Sequence, residues 1–115
     1  MVAYTNPVTE ADCAAFDGYV AKWQKLLNLS DWRIERSPRR SKRSMAEVSF
    51  DKEARLASYR IGVSFGAAEV TPDSLERTAL HELLHVLLHD ALDDPNDSTE
   101  HAVINTLEKL LMERK

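Results

Sequence analysis

HELLHVLLHD, residues 81–90, places His81, His85 and His89 at intervals of four in a stretch otherwise made of leucine, valine, Glu82 and Asp90. Side chains four apart lie on one face of an α-helix, with Cβ atoms about 5–6 Å apart. Two imidazoles so placed converge on one ion at bonds of about 2.0–2.1 Å. Glu82 follows His81 and is displaced about 100° around the helix. It is poorly placed to bind the same ion, but it reaches a water beside that ion and can take its proton. The plainer reading is a buried helix with hydrogen-bonded histidines. That reading must also bury Glu82 among apolar neighbours, which is costly without a partner. The metal reading of His81, Glu82 and His85 is therefore favoured.

The helix that carries the motif is well marked. Thr71 is a candidate N-cap and Pro72 a suitable first residue, so the pattern predicts a helix over 72–90. Leu75, Ala79, Leu80, Leu83, Leu84, Val86, Leu87 and Leu88 cover most of its circumference. Such a helix is buried on more than one side.

Upstream, Thr9 and Asp12 form a capping-box pattern. Phe16, Tyr19, Val20, Trp23, Leu26 and Leu27 recur at helical spacing, which predicts an amphipathic helix from Thr9 to about Leu29. From Trp32 to Phe65 the period changes to two. Trp32 and Ile34, then Ala46, Val48 and Phe50, then Tyr59, Ile61, Val63 and Phe65 mark three strands. The connectors at 36–43 and 51–56 are too short for helical crossovers, so a largely antiparallel three-stranded sheet is expected. Downstream, an acidic turn with Asp90, Asp93, Asp94 and Asp97 leads to a helix over about 98–112, capped by Asp97 or Ser98. The expected fold is α+β, one domain over residues 1–115: N-terminal helix, small sheet, motif helix, C-terminal helix.

Catalytic zinc sites usually hold three protein ligands plus water, so a third ligand is needed. His89 lies eight residues beyond His81, about 12 Å along an unbroken helix. One ion cannot bind both on an unbroken helix, and a histidine near a helix C-terminus is favourable in its own right, so His89 is the less favoured alternative ligand or an outer partner. Glu100 falls at the centre of the apolar face formed by Val103, Ile104, Leu107 and Leu111, where an unpaired carboxylate is expensive. It is preferred as the third ligand, the competing role being the third residue of a capping box begun by Asp97. His101 points about 100° away, toward Asn105 and Glu108, and is the alternative ligand or an outer partner.

Composition limits the remaining choices. With 115 residues and Cys13 as the only cysteine, no internal disulfide or cysteine-rich zinc site can form. The longest apolar runs are too short to span a bilayer. The first residues lack the basic and apolar regions of a secretory signal, so a cytoplasmic location is expected. Net charge is −4, yet RIERSPRRSKR, residues 33–43, holds six basic residues and one acid. That segment is read as a solvated connector. Contact with nucleic-acid phosphates, or selection of acidic peptides, is the less favoured use.

HELLH on one helix, with a glutamate fifteen residues later on the next, resembles the gluzincin division of zincin metallopeptidases. The order of elements over 9–112 is similar to minimal gluzincins and to the small zinc peptidases of ImmA/IrrE type and related phage-encoded or bacterial enzymes. The chain differs from the common ImmA/IrrE-like pattern in having Leu84 where glycine is usual, and in the residues after Glu100. The resemblance implies one zinc ion per chain on His81, His85 and Glu100, with Glu82 as general base and acid in peptide-bond hydrolysis. It also implies that a strand, expected to be the one containing Ile61 to Phe65, pairs with an extended peptide or protein substrate. Tyr59, His89 and His101 are the candidates for stabilising an oxyanion. Two other functions are kept open: a zinc-stabilised binding module without activity, and an SprT-like protease acting on DNA-associated proteins.

Overall fold

The computed structural model describes residues 4–91 and 97–114. Along the chain these form α1 (Glu10–Leu26), β1 (Arg33–Arg36), β2 (Ala46–Asp51), β3 (Leu56–Ile61), α2 (Pro72–Ala91) and α3 (Asp97–Glu113). The α+β architecture and the order of helices and strands match the sequence-based expectation. The expected acidic turn through Asp93 and Asp94 falls outside the described residues, as do the side chains of the expected caps Asp97 and Ser98.

Local chemistry sets the helix starts. The Thr9 side chain accepts from the Asp12 amide, and the Asp12 carboxylate accepts from the Thr9 amide at 2.9 Å, closing the capping box of α1. Asn28, in the left-handed region at φ +59°, turns the chain out of the helix. At α2, the Thr71 hydroxyl accepts from the Ser74 amide at 3.0 Å and the Ser74 hydroxyl accepts from the Thr71 amide at 2.9 Å. Pro72 then costs nothing, because a first-turn amide has no helical partner to lose.

The sheet departs from expectation. Its order is β1-β3-β2, with β3 antiparallel to β2 but parallel to β1. The expectation of a largely antiparallel sheet assumed that strands adjacent in sequence also pair. Instead the loop after β1 carries the chain past the central position, and the β2–β3 reversal returns β3 into it. Two reversals make β1 and β3 parallel without any helical crossover. As a result β3 is paired on both sides, and β2 is an edge strand.

Gly62 fixes where β2 begins. Its amide donates to the Met45 carbonyl at 2.7 Å. A Cβ at this position would collide with the backbone carbonyls of Ser44 and Met45, so only glycine permits the approach. The Arg40 guanidinium holds the same corner, donating to the carbonyls of Ile61, Val8 and Gly62 at 3.0, 2.9 and 2.8 Å.

Helix α2 packs against α1, β2 and α3, as its wide apolar girth requires. Leu80, Leu83, Leu84 and Val86 are fully buried with Phe16, Leu29, Ile61 and Ile104. Glu76 is also buried, at 3% exposure. Its carboxylate accepts from Lys22 Nζ at 2.6 Å and Trp23 Nε1 at 2.8 Å, so α1 and α2 are joined by a satisfied charge. At the other end of α2, Arg55 pairs with both Asp31 and Asp90 and lies 4.8 Å from the Trp32 ring centre. Both ends of the motif helix are thus anchored, and its middle turns face β2 and α3.

Candidate metal centre

Three imidazoles meet where α2 and α3 pack. The ring centres of His81 and His85 are 5.0 Å apart, and His101 lies 6.2 and 5.2 Å from them. One ligand nitrogen from each ring falls within 4.8 Å of the others. Around a tetrahedral ion with bonds of about 2.0–2.1 Å, such nitrogens stand about 3.4 Å apart. Binding an ion would therefore draw the three nitrogens closer, by rotation of the half-buried His81 and His85 and the exposed His101 side chains.

The carboxylates occupy the outer positions. His81 Nδ1 lies 2.9 Å from Glu108 Oε2, and His85 Nδ1 lies 2.7 Å from Glu100 Oε1. Each carboxylate is placed to accept the Nδ1 proton, and in that tautomer the free lone pair of each ring is on Nε2. Carboxylate–histidine pairs of this kind set the tautomer, orient the ring and raise its basicity toward a metal. Glu100 is 4% exposed and is also approached at 3.0 Å by His89 Nε2. Burial pushes its carboxyl up, but the His85 hydrogen bond and the charges of His89 and His85 outweigh that and hold it below the usual range.

The sequence favours Glu100 as third ligand; the structure places its carboxylate on His85 Nδ1 and His89 Nε2. A carboxylate hydrogen-bonded to Nδ1 of His85 stands on the opposite side of that ring from an ion at Nε2. His101, the alternative, is the residue brought into the cluster. His89 stays outside it, with its ring 4.9 Å from Phe50. Glu108 was not picked out from the sequence as a partner of His81, although His101, Asn105 and Glu108 share a stripe on α3 at spacings of four and three. The apolar face of α3 is also rotated from the one expected. Ile104 and Met112 are buried, while Val103 is 39% exposed. The rotation, by some tens of degrees at about 100° per residue, turns Glu108 and His101 toward α2.

Glu82 has no role in holding the rings. It is 9% exposed and lines two adjoining clefts beside the histidines. Burial, opposed by His81, pushes its carboxyl up to about 7. A carboxylate there is poised to gain and lose a proton near neutral pH. The Glu108 hydrogen bond raises His81, whereas burial lowers His85, so the two rings differ in basicity.

The first cleft, about 440 Å³, lies between the histidines and residues Ala46, Glu47, Val48 and Phe50 of edge strand β2. The segment expected to receive a substrate strand, Ile61–Phe65, has no edge to offer. Its Ile61 belongs to the central strand, and Val63 and Phe65 bond back to Ser41, Val8 and Asn6. Among the oxyanion candidates, Tyr59 is buried elsewhere and donates to Asp17 at 2.6 Å. Comparison with protein-family profiles, curated proteins and solved structures finds no match for this chain.

Proposed function

We propose that this chain is a small zinc-dependent metallopeptidase that hydrolyses peptide bonds at the His81–His85–His101 cluster. The observation that carries the proposal is the conjunction of three imidazoles within reach of one ion, two of them backed at Nδ1 by Glu108 and Glu100, with Glu82 adjacent. The donor set is all-nitrogen, with outer carboxylates and no thiolate, and suits one zinc ion per chain. Zinc at such sites acts as a Lewis acid, acidifying water and polarising a carbonyl.

The remaining chemistry is assigned to protein side chains. The Glu82 carboxylate takes the proton of the attacking water and delivers it to the departing amine nitrogen. Its raised proton affinity makes both transfers close to balanced at neutral pH. Glu100 and Glu108 hold their histidines in a single tautomer. The free edge of β2 offers backbone N–H and C=O groups to an extended peptide, which is thereby laid across the histidines. Among the described residues no helix is long and apolar enough to cross a membrane. A cytoplasmic setting fits the single, buried thiol of Cys13.

Metal dependence tests the proposal. Zinc-loaded protein incubated with a random peptide library is expected to cleave. Chelation should abolish cleavage, and stoichiometric zinc should restore it. Cleavage that survives complete zinc removal contradicts the mechanism. Stoichiometric zinc with no cleavage of any peptide points instead to a zinc-stabilised binding module.

A further inference from the structure

The basic segment divides into two groups. Arg33 pairs with Glu35, Arg36 with Glu10 and Asp17, and Arg40 is spent on three backbone carbonyls. Arg39, Lys42 and Arg43 are exposed, and none has a side-chain ion pair among the described residues. Lys42 and Arg43 sit at the end of the cleft system. The cleft at the histidines shares Ala46, His81 and Glu82 with a second of about 500 Å³. The second shares Met45 with a third, of about 320 Å³, lined by Lys42 and Arg43. The three clefts follow the chain backward from Phe50 through Met45 to Lys42, along the β2 edge and its lead-in.

Charge changes sign along this path. Between the two ends stands Glu47, which lines the histidine cleft and whose carboxyl is held below the usual range by the hydroxyls of Ser41 and Ser44 and, more weakly, by the charges of Arg60 and Arg43. At the far end stand Lys42 and Arg43. Residues 42–45 bend, with the Ser44 amide donating to the Ser41 hydroxyl, so Glu47 and Arg43 stand closer than the about 13 Å that four extended residues would reach. A peptide lying on the β2 edge with its scissile bond at Glu82 therefore brings a residue three or four positions away over the two cations.

We infer that the Lys42–Arg43 end of the cleft is a subsite for acidic side chains, so that the preferred substrates carry Asp or Glu three to four residues to one side of the scissile bond. The inference deepens the peptidase reading and rests on it. Nucleic-acid phosphate is the competing ligand for the same cations. The placement of Lys42 and Arg43 beside the cleft, with Arg36 and Arg40 held by the fold, favours the peptide.

The experiment takes a peptide cleaved by the zinc-loaded protein and makes matched versions with Glu-Glu or Gln-Gln at positions three and four, on each side of the bond in turn. On one side, the Glu-Glu peptide is expected to show a kcat/KM about five- to tenfold higher at low salt, carried by KM and shrinking as salt rises. Lys42→Glu/Arg43→Glu should remove or invert that preference while leaving the Gln-Gln peptide within about twofold. Lys42→Gln/Arg43→Gln serves as a milder second variant, and melting curves check that each is folded. Equal kcat/KM for both peptides on both sides overturns the subsite and leaves the peptidase reading standing. So does a DNA oligonucleotide that binds through Lys42 and Arg43 while the peptides are treated alike. No cleavage of any peptide by zinc-loaded wild type overturns the peptidase reading and the subsite with it.

Discussion

Replacing Glu82 with glutamine is expected to lower turnover by roughly 10²–10⁴-fold, the usual contribution of a positioned general base, while zinc stays bound. The same substitution should stabilise the metal-free protein. In the folded chain the Glu82 carboxyl has risen to about 7 from its ordinary 4.5. The fold therefore keeps a proton that the unfolded chain releases. Below pH 4.5 both states are protonated and Glu82 costs nothing. As pH climbs through the interval to 7, the unfolded state ionises first and stability falls. A shift of that size corresponds to an upper bound on the order of 3 kcal/mol. Glutamine has no proton to lose, so Glu82→Gln should match wild type near pH 4 and exceed it progressively up to pH 7–8. With zinc bound the gap should narrow, because a cation nearby favours the ionised carboxylate. Chemical denaturation across pH 4–8, with and without zinc, checks this. A glutamine variant that cleaves at the wild-type rate, or stability curves that never diverge, would refute the role given to Glu82.

The second large effect concerns which residues hold the ion. Structural zinc sites are worth about 10–16 kcal/mol shared among four ligands, so each ligand accounts for roughly a hundredfold to a thousandfold in affinity. His101→Ala should weaken zinc binding by that amount. Glu100→Gln should cost less, about ten- to a hundredfold, because it loosens His85 without removing a donor. Competition titrations against a chelator of known affinity give the ranking. The opposite order, with Glu100→Gln the worse, would return Glu100 to the ion and move His101 outside.

That ranking also marks where the chain's own pattern stops being readable. The capping box at Thr9 and Asp12, Pro72 at the start of α2 and the HELLH spacing are local features, and the structure carries each as expected. The position of β3 between β1 and β2 is not local. It depends on how far the 37–45 loop carries the chain before Gly62 pins β2, and no two-residue period contains that information. The phase of α3 lies between these cases. Its apolar residues define a face only to within some tens of degrees. Glu100 and His101 are about 100° apart on the helix, so a rotation of some tens of degrees shifts the face presented to α2 from Glu100 toward a position between the two. That buried Glu100 needs a partner follows from burial alone. Its hydrogen bonds to His85 and His89 follow from packing across fifteen and eleven residues of sequence. Glu108 and His81 are farther apart still, at 27 residues. The same logic explains the basic segment. Counting charges between 33 and 43 cannot separate Arg40, which braces three carbonyls, from Arg43, which braces none.

The most direct test of the metal centre is X-ray absorption on the zinc-loaded protein. The predicted first shell is three imidazole nitrogens and one water oxygen at about 2.0–2.1 Å, with one imidazole lost in His101→Ala and none lost in Glu100→Gln. A protein that takes up no zinc, or a shell with two imidazoles and a carboxylate, would contradict the three-histidine centre.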